Sequence, residues 1–332
     1  MSAIDFYKLS SGEKREIITD LSNELDRPEY AIEKDWWVVQ TLRIIMEMDI
    51  AEHIVFKGGT SLSKSWGIID RFSEDIDIAL DREYLGFAEK ISRTKVGKLR
   101  DASFEYIINT FLPELIKKFS SIGINDVNIQ PINVETTDQD PVQIEIQYPA
   151  VVEYTTYVLP RVILEIGSRS MLEPNTNRTF TSFIGEYYPE EFFADEEIEV
   201  PSANVERTYL DKLFLLHEEF QKKEPRVDRL SRHLYDIEKI SQTEYADSAI
   251  ADTALYHAIV EHRELFNRWS DVDYTTHFPP NLNPRPPKKL LPEWESDYAT
   301  MQEEMIYGDS LPFYELIERI SEIVDKINKL SI

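Results

Sequence analysis

The alternation of apolar and polar positions predicts two strands around a short helix within residues 54–80. The apolar run Ile54–Phe56, bounded by Gly58-Gly59, is typical of a buried strand. The segment Thr60–Trp66 predicts a helix with Thr60 as its N-cap residue. Ser73–Leu80 then predicts a second strand, so that a strand–helix–strand unit forms early in the chain.

The second predicted strand has a mixed character that indicates chemistry. Because side chains alternate between the faces of a strand, Asp75 and Asp77 share one face, whereas Ile76, Ile78 and Leu80 share the other. The three aliphatic residues predict a buried face. The two carboxylates repel each other on the opposite face, and a divalent cation such as Mg²⁺, which prefers carboxylate oxygens and keeps room for phosphates, would relieve that repulsion.

The Gly58-Gly59 turn supplies the second half of a candidate site. Glycines allow a sharp turn and a close approach of the backbone to a ligand, and the N–H groups at the start of a helix attract anions such as a triphosphate. A phosphate-binding turn beside metal-binding carboxylates is what nucleotidyl transfer requires. The alternative is an ordinary core segment with a solvated acidic strand end.

The remaining pattern predicts an α+β protein of two domains. Two N-terminal helices, Ser10–Leu25 and one from Pro28 to about Met48, precede the unit, and a helical stretch to about Ser121 follows it. Strands near 127–134, 142–148 and 157–166 bring a mixed sheet to about five strands. We expect a domain built on this mixed sheet with flanking helices over residues 1–199 and a helical domain over 200–332.

Composition narrows the setting of the protein. The 332 residues include no cysteine, which excludes disulfides and thiolate metal sites and favours a reducing cytosol. No apolar run approaches the length of a membrane span, so we expect a cytoplasmic protein without membrane contact. A net charge of −26 argues against indiscriminate binding to nucleic acid, although basic clusters lie at residues 90–100, 222–232 and 285–289.

The motif strings resemble one known family. Lys57-Gly58-Gly59-Thr60-x-Leu62-x-Lys64, followed by Arg71-Phe72-Ser73-Glu74-Asp75-Ile76-Asp77, resembles the AbiEii/AbiGii-type toxins of the nucleotidyltransferase superfamily of DNA polymerase β. The resemblance implies that Asp75 and Asp77 bind Mg²⁺ or Mn²⁺. It also implies a set of residues that bind the triphosphate of a nucleoside triphosphate: Gly58, Gly59, Thr60, Lys64, Arg71 and Ser73. The string Glu33-Lys34-Asp35 resembles the family's N-terminal signature, and we interpret it as part of a helix that packs behind the sheet.

Three more site residues come from the same resemblance. Glu165, in an apolar strand, matches the third metal carboxylate, and its alternative is a salt bridge to Arg161 or Arg169. Lys212 and Asp236, on two predicted helices, match the family's further catalytic residues. Lys212 would stabilise charge on the transferring phosphate, and Asp236 would orient Lys212 or accept a proton. Their alternative is a helix–helix ion pair.

The resemblance also implies a biological role. It predicts a toxin that transfers a nucleoside monophosphate to the 3′ end of tRNA, releases pyrophosphate and is held in check by an antitoxin protein. The three basic clusters are candidate tRNA contacts or simply solvated faces. Two alternatives remain open: the same chemistry on a small molecule or protein side chain, and a non-catalytic nucleotide-binding regulatory module.

Overall fold

The computed structural model divides the chain into two compact units. It describes residues 4–73, 75–88, 90–267 and 269–330. The sheet unit contains the residues up to Ser65 together with Phe72–Ala203, and the helical unit contains Trp66–Arg71 together with the residues from Asn204 onward. Glu74 in the predicted second strand and the last two residues of the chain lie outside the described residues.

A mixed sheet of seven strands forms the centre of the sheet unit. Its strands are β1 (Ile54–Lys57), β2 (Asp75–Leu80), β3 (Asn128–Ile132), β4 (Val142–Gln147), β5 (Arg161–Gly167), β6 (Asn175–Phe180) and β7 (Ile198–Ala203). Their order across the sheet is β3-β4-β5-β2-β1-β7-β6. The central strand β2 pairs antiparallel with β1 and parallel with β5. The predicted α+β class is confirmed.

The prediction of about five strands was wrong, because β6 and β7 were missed. β6 reads Asn-Thr-Asn-Arg-Thr-Phe and lies at the edge of the sheet, where polar side chains on both faces leave no alternating pattern. β7 contains Pro201, which ordinarily argues against a strand interior. Both strands depend on pairing with their neighbours rather than on local sequence.

Helices cover the sheet and complete its core. They are α1 (Asp5–Lys8), α2 (Ser11–Leu25), α3 (Glu29–Met46), α4 (Gly58–Lys64), α5 (Val96–Tyr106), α6 (Leu112–Ser121) and α7 (Phe183–Tyr187). Ser10 and Glu13 form a capping box that fixes the start of α2. A π-helical segment, Ile107–Phe111, lies between α5 and α6, close to Pro113 in the first turn of α6. No helix among the described residues is long and apolar enough to cross a membrane.

Three consecutive charged residues of α3 are buried, and each has a partner within the sheet unit. Glu33 accepts a hydrogen bond from the Val151 backbone N–H at 2.9 Å, and the Lys34 ammonium donates to the Leu159 carbonyl at 3.1 Å. Asp35 accepts from the backbone N–H of Phe183 at 2.7 Å. These bonds attach α3 to loops and to α7, as expected of a packing helix.

Among its described residues, the helical unit contains six further α-helices. They are α8 (Val205–Gln221), α9 (Ser231–Ser241), α10 (Glu244–Ala251), α11 (Thr253–Phe266), α12 (Leu291–Glu304) and α13 (Phe313–Ile327). The sequence predicts one helix over 245–269, whereas the structure has two, because Asp252 adopts a non-helical conformation and caps α11 through the Leu255 N–H. α12 was not predicted.

The proline-rich composition of residues 281–292 predicts an extended surface arm, whereas the structure docks this stretch within the helical unit. Leu282 is fully buried, and its carbonyl accepts a hydrogen bond from Asn328 at 2.8 Å. The Asn283 N–H donates to His217 Nδ1 at 2.9 Å. The stretch is therefore a fixed part of the helical unit.

Candidate active site

One face of β2 carries both predicted metal-binding carboxylates. Asp75 and Asp77 are half-buried, whereas Ile76 and Ile78 on the opposite face are fully buried in the core. Glu165 is the register partner of Asp77 on the parallel strand β5, so its side chain leaves the sheet on the same face. The sheet thus places three carboxylate residues on one face.

The glycine turn packs directly against this acidic face. Gly58 has φ +81°, and a Cβ at this residue would lie 2.0 Å from Asp77 Oδ2. Only glycine fits, both because of the backbone conformation and because of the contact. Lys57, opposite Asp77 in the β1–β2 pair, places its ammonium 3.4 Å from Asp77 Oδ1. Sequence reasoning placed Lys57 in the motif but did not predict its contact with Asp77, because α4 separates the two paired strands along the chain.

Thr60 has a different local role from the one predicted. The N-cap of α4 is Lys57, so Thr60 is the third helical residue rather than the cap. Its side chain is buried, and Oγ1 donates to the backbone carbonyls of Asp75 and of Ser73, the latter at 3.3 Å. The hydroxyl therefore ties α4 to the start of β2.

Lys64 is engaged away from the glycine turn. Its ammonium lies 2.8 Å from Asp35 Oδ1 on α3 and 4.4 Å from the centre of the Phe183 ring. Burial raises the pKa of Asp35, although the charge of Lys64 opposes that rise. The pair links α4 to α3 and leaves the proposed contact of Lys64 with the triphosphate without support from the structure.

The contacts of Glu165 exclude one of the two salt bridges that the sequence analysis considered for it. Gln143 Nε2 donates to Glu165 Oε1 at 2.6 Å, while Arg161 pairs with Glu145 instead. Arg169 carries a charge near enough to interact with Glu165. An ion pair with Arg161 is therefore not what stabilises Glu165.

The donor set fits a hard divalent cation that is shared with a substrate. Within the described ranges, no three His, Cys, Asp or Glu side chains form a group that could hold a metal ion on their own. Mg²⁺ typically takes one or two protein carboxylates and completes its shell with water and substrate phosphates. Asp75 and Asp77, beside a backbone that a ligand can approach closely, match that requirement.

A second group of predicted residues meets inside the helical unit. Arg71 Nε and one terminal nitrogen donate to the two carboxylate oxygens of Asp236, each at 2.7 Å. Lys212 Nζ lies 2.7 Å from Asp236 Oδ2 and 3.5 Å from His233 Nδ1. The side chain of Asp236 is fully buried, and those of Arg71 and Lys212 are 2% and 8% exposed.

The charges of this cluster control its protonation. Burial alone would raise the pKa of Asp236, but the positive charges of Arg71 and Lys212 outweigh burial and hold that pKa far below its ordinary value. Burial lowers the pKa of Lys212, the charge of Asp236 opposes the change, and Arg71 adds to it. Asp236 is therefore a poor proton acceptor and a strong anchor for Lys212.

His233 is a further member of this group, which the sequence analysis did not assign. Burial lowers its pKa, and the nearby charge of Lys212 lowers it further, so that the ring is neutral at pH 7. A neutral ring can accept a hydrogen bond from the Lys212 ammonium. The His-Leu-Tyr-Asp string of α9 places His233 one helical turn before Asp236, which is the signal that could have identified it.

Comparison with known proteins identifies the family. Residues 41–326 match the family model described as nucleotidyl transferase AbiEii toxin, type IV toxin–antitoxin system. This chain belongs to the AbiEii family. It is accordingly a nucleotidyltransferase toxin of a type IV toxin–antitoxin system, with a nucleotide substrate and an antitoxin partner, and the resemblance inferred from its motifs is confirmed.

This chain also has a distant likeness to a solved structure. MenT4, a nucleotidyltransferase toxin from Mycobacterium tuberculosis H37Rv, is 13% identical, with a TM-score of 0.48. The match covers 94% of this chain and 99% of MenT4. A search of curated proteins returned no match.

Proposed function

We propose that this AbiEii-family enzyme transfers a nucleoside monophosphate from a nucleoside triphosphate to the 3′ end of a tRNA, with pyrophosphate as the leaving group. The observation that supports this proposal most strongly is the close approach of Gly58 to Asp77. Asp77 shares its face of the sheet with Asp75 and Glu165. An open backbone beside paired carboxylates suits a polyphosphate bound together with a divalent cation. Because tRNA and nucleotides are cytoplasmic, the proposal includes a cytoplasmic location.

Mg²⁺ or Mn²⁺ is the cofactor that this face accommodates best. Asp75 and Asp77 would hold the ion through hard carboxylate oxygens, and Glu165 is the candidate third ligand. When bound, such an ion neutralises negative charge on the triphosphate and on the departing pyrophosphate. The ammonium of Lys57, beside Asp77, also reduces the repulsion between the carboxylates of Asp75 and Asp77.

The candidate triphosphate residues differ in the support that they receive. Gly58-Gly59 and Ser73 are supported best, since the glycines border the acidic face and Ser73 is half-buried next to it along the chain. Thr60 and Lys64 receive less support, because both side chains are bonded within the sheet unit. Arg71 is bonded to Asp236.

Lys212 provides the positive charge that transition-state stabilisation requires. Its ammonium would stabilise the charge that develops as the acceptor oxygen bonds to the α-phosphorus and the bond to pyrophosphate breaks. Asp236 keeps that ammonium in place at 2.7 Å. Of the two roles considered for Asp236, orientation of Lys212 is favoured over proton transfer, because its pKa is held so low.

The first basic cluster is the best candidate for contacts with the RNA backbone. Arg93, Lys95 and Lys98 are exposed and form no ion pair with any residue that the structure describes. They lie at and just before the start of α5, in the same unit as Asp75. In a chain with a net charge of −26, such cations suit phosphates.

Three cations of the other two basic clusters are engaged in ion pairs. Lys222 and Arg226 both bind Glu219, with their nitrogens 2.7 and 2.9 Å from Oε2. Arg285 lies 3.4 Å from Asp325. These pairs give the three side chains a structural role, so we assign the acceptor contact to Arg93, Lys95 and Lys98.

A labelled-nucleotide assay separates this proposal from its alternatives. The protein is incubated with each α-labelled nucleoside triphosphate, Mg²⁺ and total tRNA, beside Asp77→Asn and the exposed control Asp271→Asn. Transfer of label to tRNA by the wild type and Asp271→Asn, but not by Asp77→Asn, is the expected result. Label on protein or a small molecule supports another acceptor, and no transfer at all supports a regulatory module.

A charge-removal series tests the RNA surface. The triple variant Arg93→Gln, Lys95→Gln, Lys98→Gln should weaken tRNA binding and flatten its salt dependence, because each lost phosphate contact removes about 0.9 from the slope of log K against log salt. The matched control is Lys222→Gln, Arg226→Gln, Arg285→Gln. Equal losses in both triple variants would contradict the assignment.

A further inference from the structure

The segment Trp66–Arg71 connects α4 to β2 along the chain but belongs to the helical unit. The carbonyl of Asp70 accepts hydrogen bonds from the N–H groups of Tyr307 at 3.1 Å and Gly308 at 3.3 Å. Arg71 forms an isolated antiparallel bridge with Ile306. The backbone of Arg71 is therefore fixed within the helical unit before its side chain makes any contact.

The side chain of Arg71 makes the tightest contact available to a guanidinium. Two nitrogens bind the two oxygens of Asp236, both at 2.7 Å, in a planar two-bond arrangement. Both side chains are almost completely buried. These two nitrogens could reach a phosphate only by leaving Asp236, and that departure would remove one of two cations from a buried carboxylate.

The same carboxylate holds Lys212, so the three side chains form one charge network. Lys212 Nζ contacts the oxygen of Asp236 that also receives a terminal nitrogen of Arg71. The cations Arg71 and Lys212 share the single anion Asp236, so these three side chains together carry a net positive charge. The orientation of the Asp236 carboxylate, and hence the position of the Lys212 ammonium, is fixed by the planar fork of Arg71.

We propose that Arg71 is a positioning residue that acts through Asp236 on Lys212, and that it is not a ligand of the nucleotide. The role assigned to Lys212 rests on the proposed function; the coupling among the three side chains does not. Arg71 aligns the carboxylate, the carboxylate aligns the ammonium, and the ammonium contacts the phosphate. This replaces the triphosphate contact expected for Arg71 from sequence.

Steady-state kinetics distinguish positioning from binding. In Arg71→Met the kcat should fall by roughly 100-fold while the KM for the nucleoside triphosphate stays within about threefold, since a lost positioning group affects the transition state more than substrate binding. Arg71→Lys keeps the charge but replaces the two-nitrogen fork by a single ammonium, so it should recover part of kcat. A KM that rises tenfold or more with kcat unchanged would identify Arg71 as a nucleotide ligand and overturn the proposal.

The reactivity of the Lys212 amine provides a readout that needs no nucleotide. Competitive acylation across a pH series, followed by peptide mass spectrometry, gives the pKa of Lys212. Among the residues that the structure describes, the charged or titratable groups that act on Lys212 include Asp236, Arg71, Arg232 and His233. Removing the like charge in Arg71→Met should raise this pKa, and removing the anion in Asp236→Asn should lower it.

The direction of these two pKa shifts shows whether Arg71 and Asp236 both act on Lys212. Shifts of opposite sign support the network, whereas an unchanged pKa in Arg71→Met means that Arg71 does not act on Lys212. If the wild type transfers no label to any acceptor, the proposed function fails. The acylation experiment still tests the network of Arg71, Asp236 and Lys212, because it needs no nucleotide.

A matched control separates positioning from stability. Arg263 binds both oxygens of Glu218 at 2.6 and 3.0 Å in the same helical unit, and its side chain is 11% exposed. Arg263→Met should lower the melting temperature comparably to Arg71→Met but leave the nucleotide kinetics and the Lys212 pKa unchanged. Equal kinetic losses in both variants would reduce Arg71 to a structural residue. If Arg71→Met is unfolded by circular dichroism, Arg71→Lys carries the same kinetic test.

Discussion

The Cα of Gly58 lies so close to Asp77 that a Cβ at residue 58 would stand 2.0 Å from the carboxylate oxygen Oδ2. The contact joins the glycine turn to the acidic face of β2 within one rigid sheet. It also explains why this position needs glycine twice over: once for φ +81° and once for space. The proposed metal and triphosphate site depends on this contact.

Replacing Gly58 by alanine should therefore damage both stability and activity. The left-handed backbone conformation and the clash with Asp77 together should lower the free energy of unfolding by about 1–3 kcal/mol. Nucleotide transfer should be lost in Gly58→Ala even under conditions in which the protein is folded. Urea unfolding and the labelled-nucleotide assay measure the two effects.

Gly97 offers the matched control for that substitution. It lies in helix α5, has an ordinary φ, and a Cβ there would meet no atom within 4 Å. Gly97→Ala should stabilise the protein by about 0.5–1 kcal/mol, because alanine is the better helix former. A Gly58→Ala variant as stable and active as Gly97→Ala would contradict the description of the turn.

The ion pair between Lys64 and Asp35 should contribute to stability rather than to nucleotide binding. Lys64→Met leaves Asp35 buried without its cation, a change that typically costs about 3–5 kcal/mol. Adding Asp35→Asn should recover part of the loss, and a double-mutant cycle measures the coupling. The KM for the nucleotide should be unchanged in folded Lys64→Met. A large rise in KM without loss of stability would restore Lys64 to the triphosphate site.

His217 should make the protein sensitive to mild acid. Burial, together with the charge of His277, lowers the pKa of His217 from 6.5 to about 4. Between pH 6.5 and 4, the unfolded chain therefore binds a proton at His217 more readily than the folded chain does. The free energy of unfolding is highest above pH 6.5 and falls as the pH decreases toward 4. The loss should reach about 3 kcal/mol, at about 1.4 kcal/mol per pH unit.

Two histidine variants isolate this effect. His217→Gln should flatten the stability curve between pH 6.5 and 4, whereas His257→Gln, at an exposed position of α11, should follow the wild type. Chemical denaturation at a series of pH values measures both. Burial alone would raise the pKa of Glu218, but a hydrogen bond from His277 and the charge of Arg263 lower it to about 2. Glu218 therefore adds its own loss of stability only below pH 4.5. A wild-type curve that is flat down to pH 5 would contradict the burial of a neutral His217.

Local pattern was sufficient to predict the acidic face of β2, because alternation along a strand is a property of consecutive residues. The side chains of Asp75 and Asp77 follow from that period alone. The family motifs also indicated Lys212 and Asp236 as partners, and the structure brings these two together. The α+β class followed from the succession of strands and helices.

Long-range pairing was beyond the reach of the sequence. Arg71 and Asp236 are 165 residues apart, and nothing near Arg71 indicates that its segment joins the helical unit. Lys64 likewise depends on Asp35 in an earlier helix. A motif shows which residues a family keeps near its site. Tertiary packing determines which of them are available to a substrate and which are bonded to the protein.

Binding of Mn²⁺ tests the central claim most directly, because the ion is paramagnetic and replaces Mg²⁺ at oxygen ligands. Electron paramagnetic resonance would measure Mn²⁺ binding in the presence of a non-hydrolysable nucleoside triphosphate, for the wild type, Asp77→Asn and Asp271→Asn. We expect a ternary complex with the wild type and Asp271→Asn that Asp77→Asn weakens by about 10-fold or more. Equal binding by all three proteins would show that the acidic face of β2 does not hold the metal ion, and the account would fail.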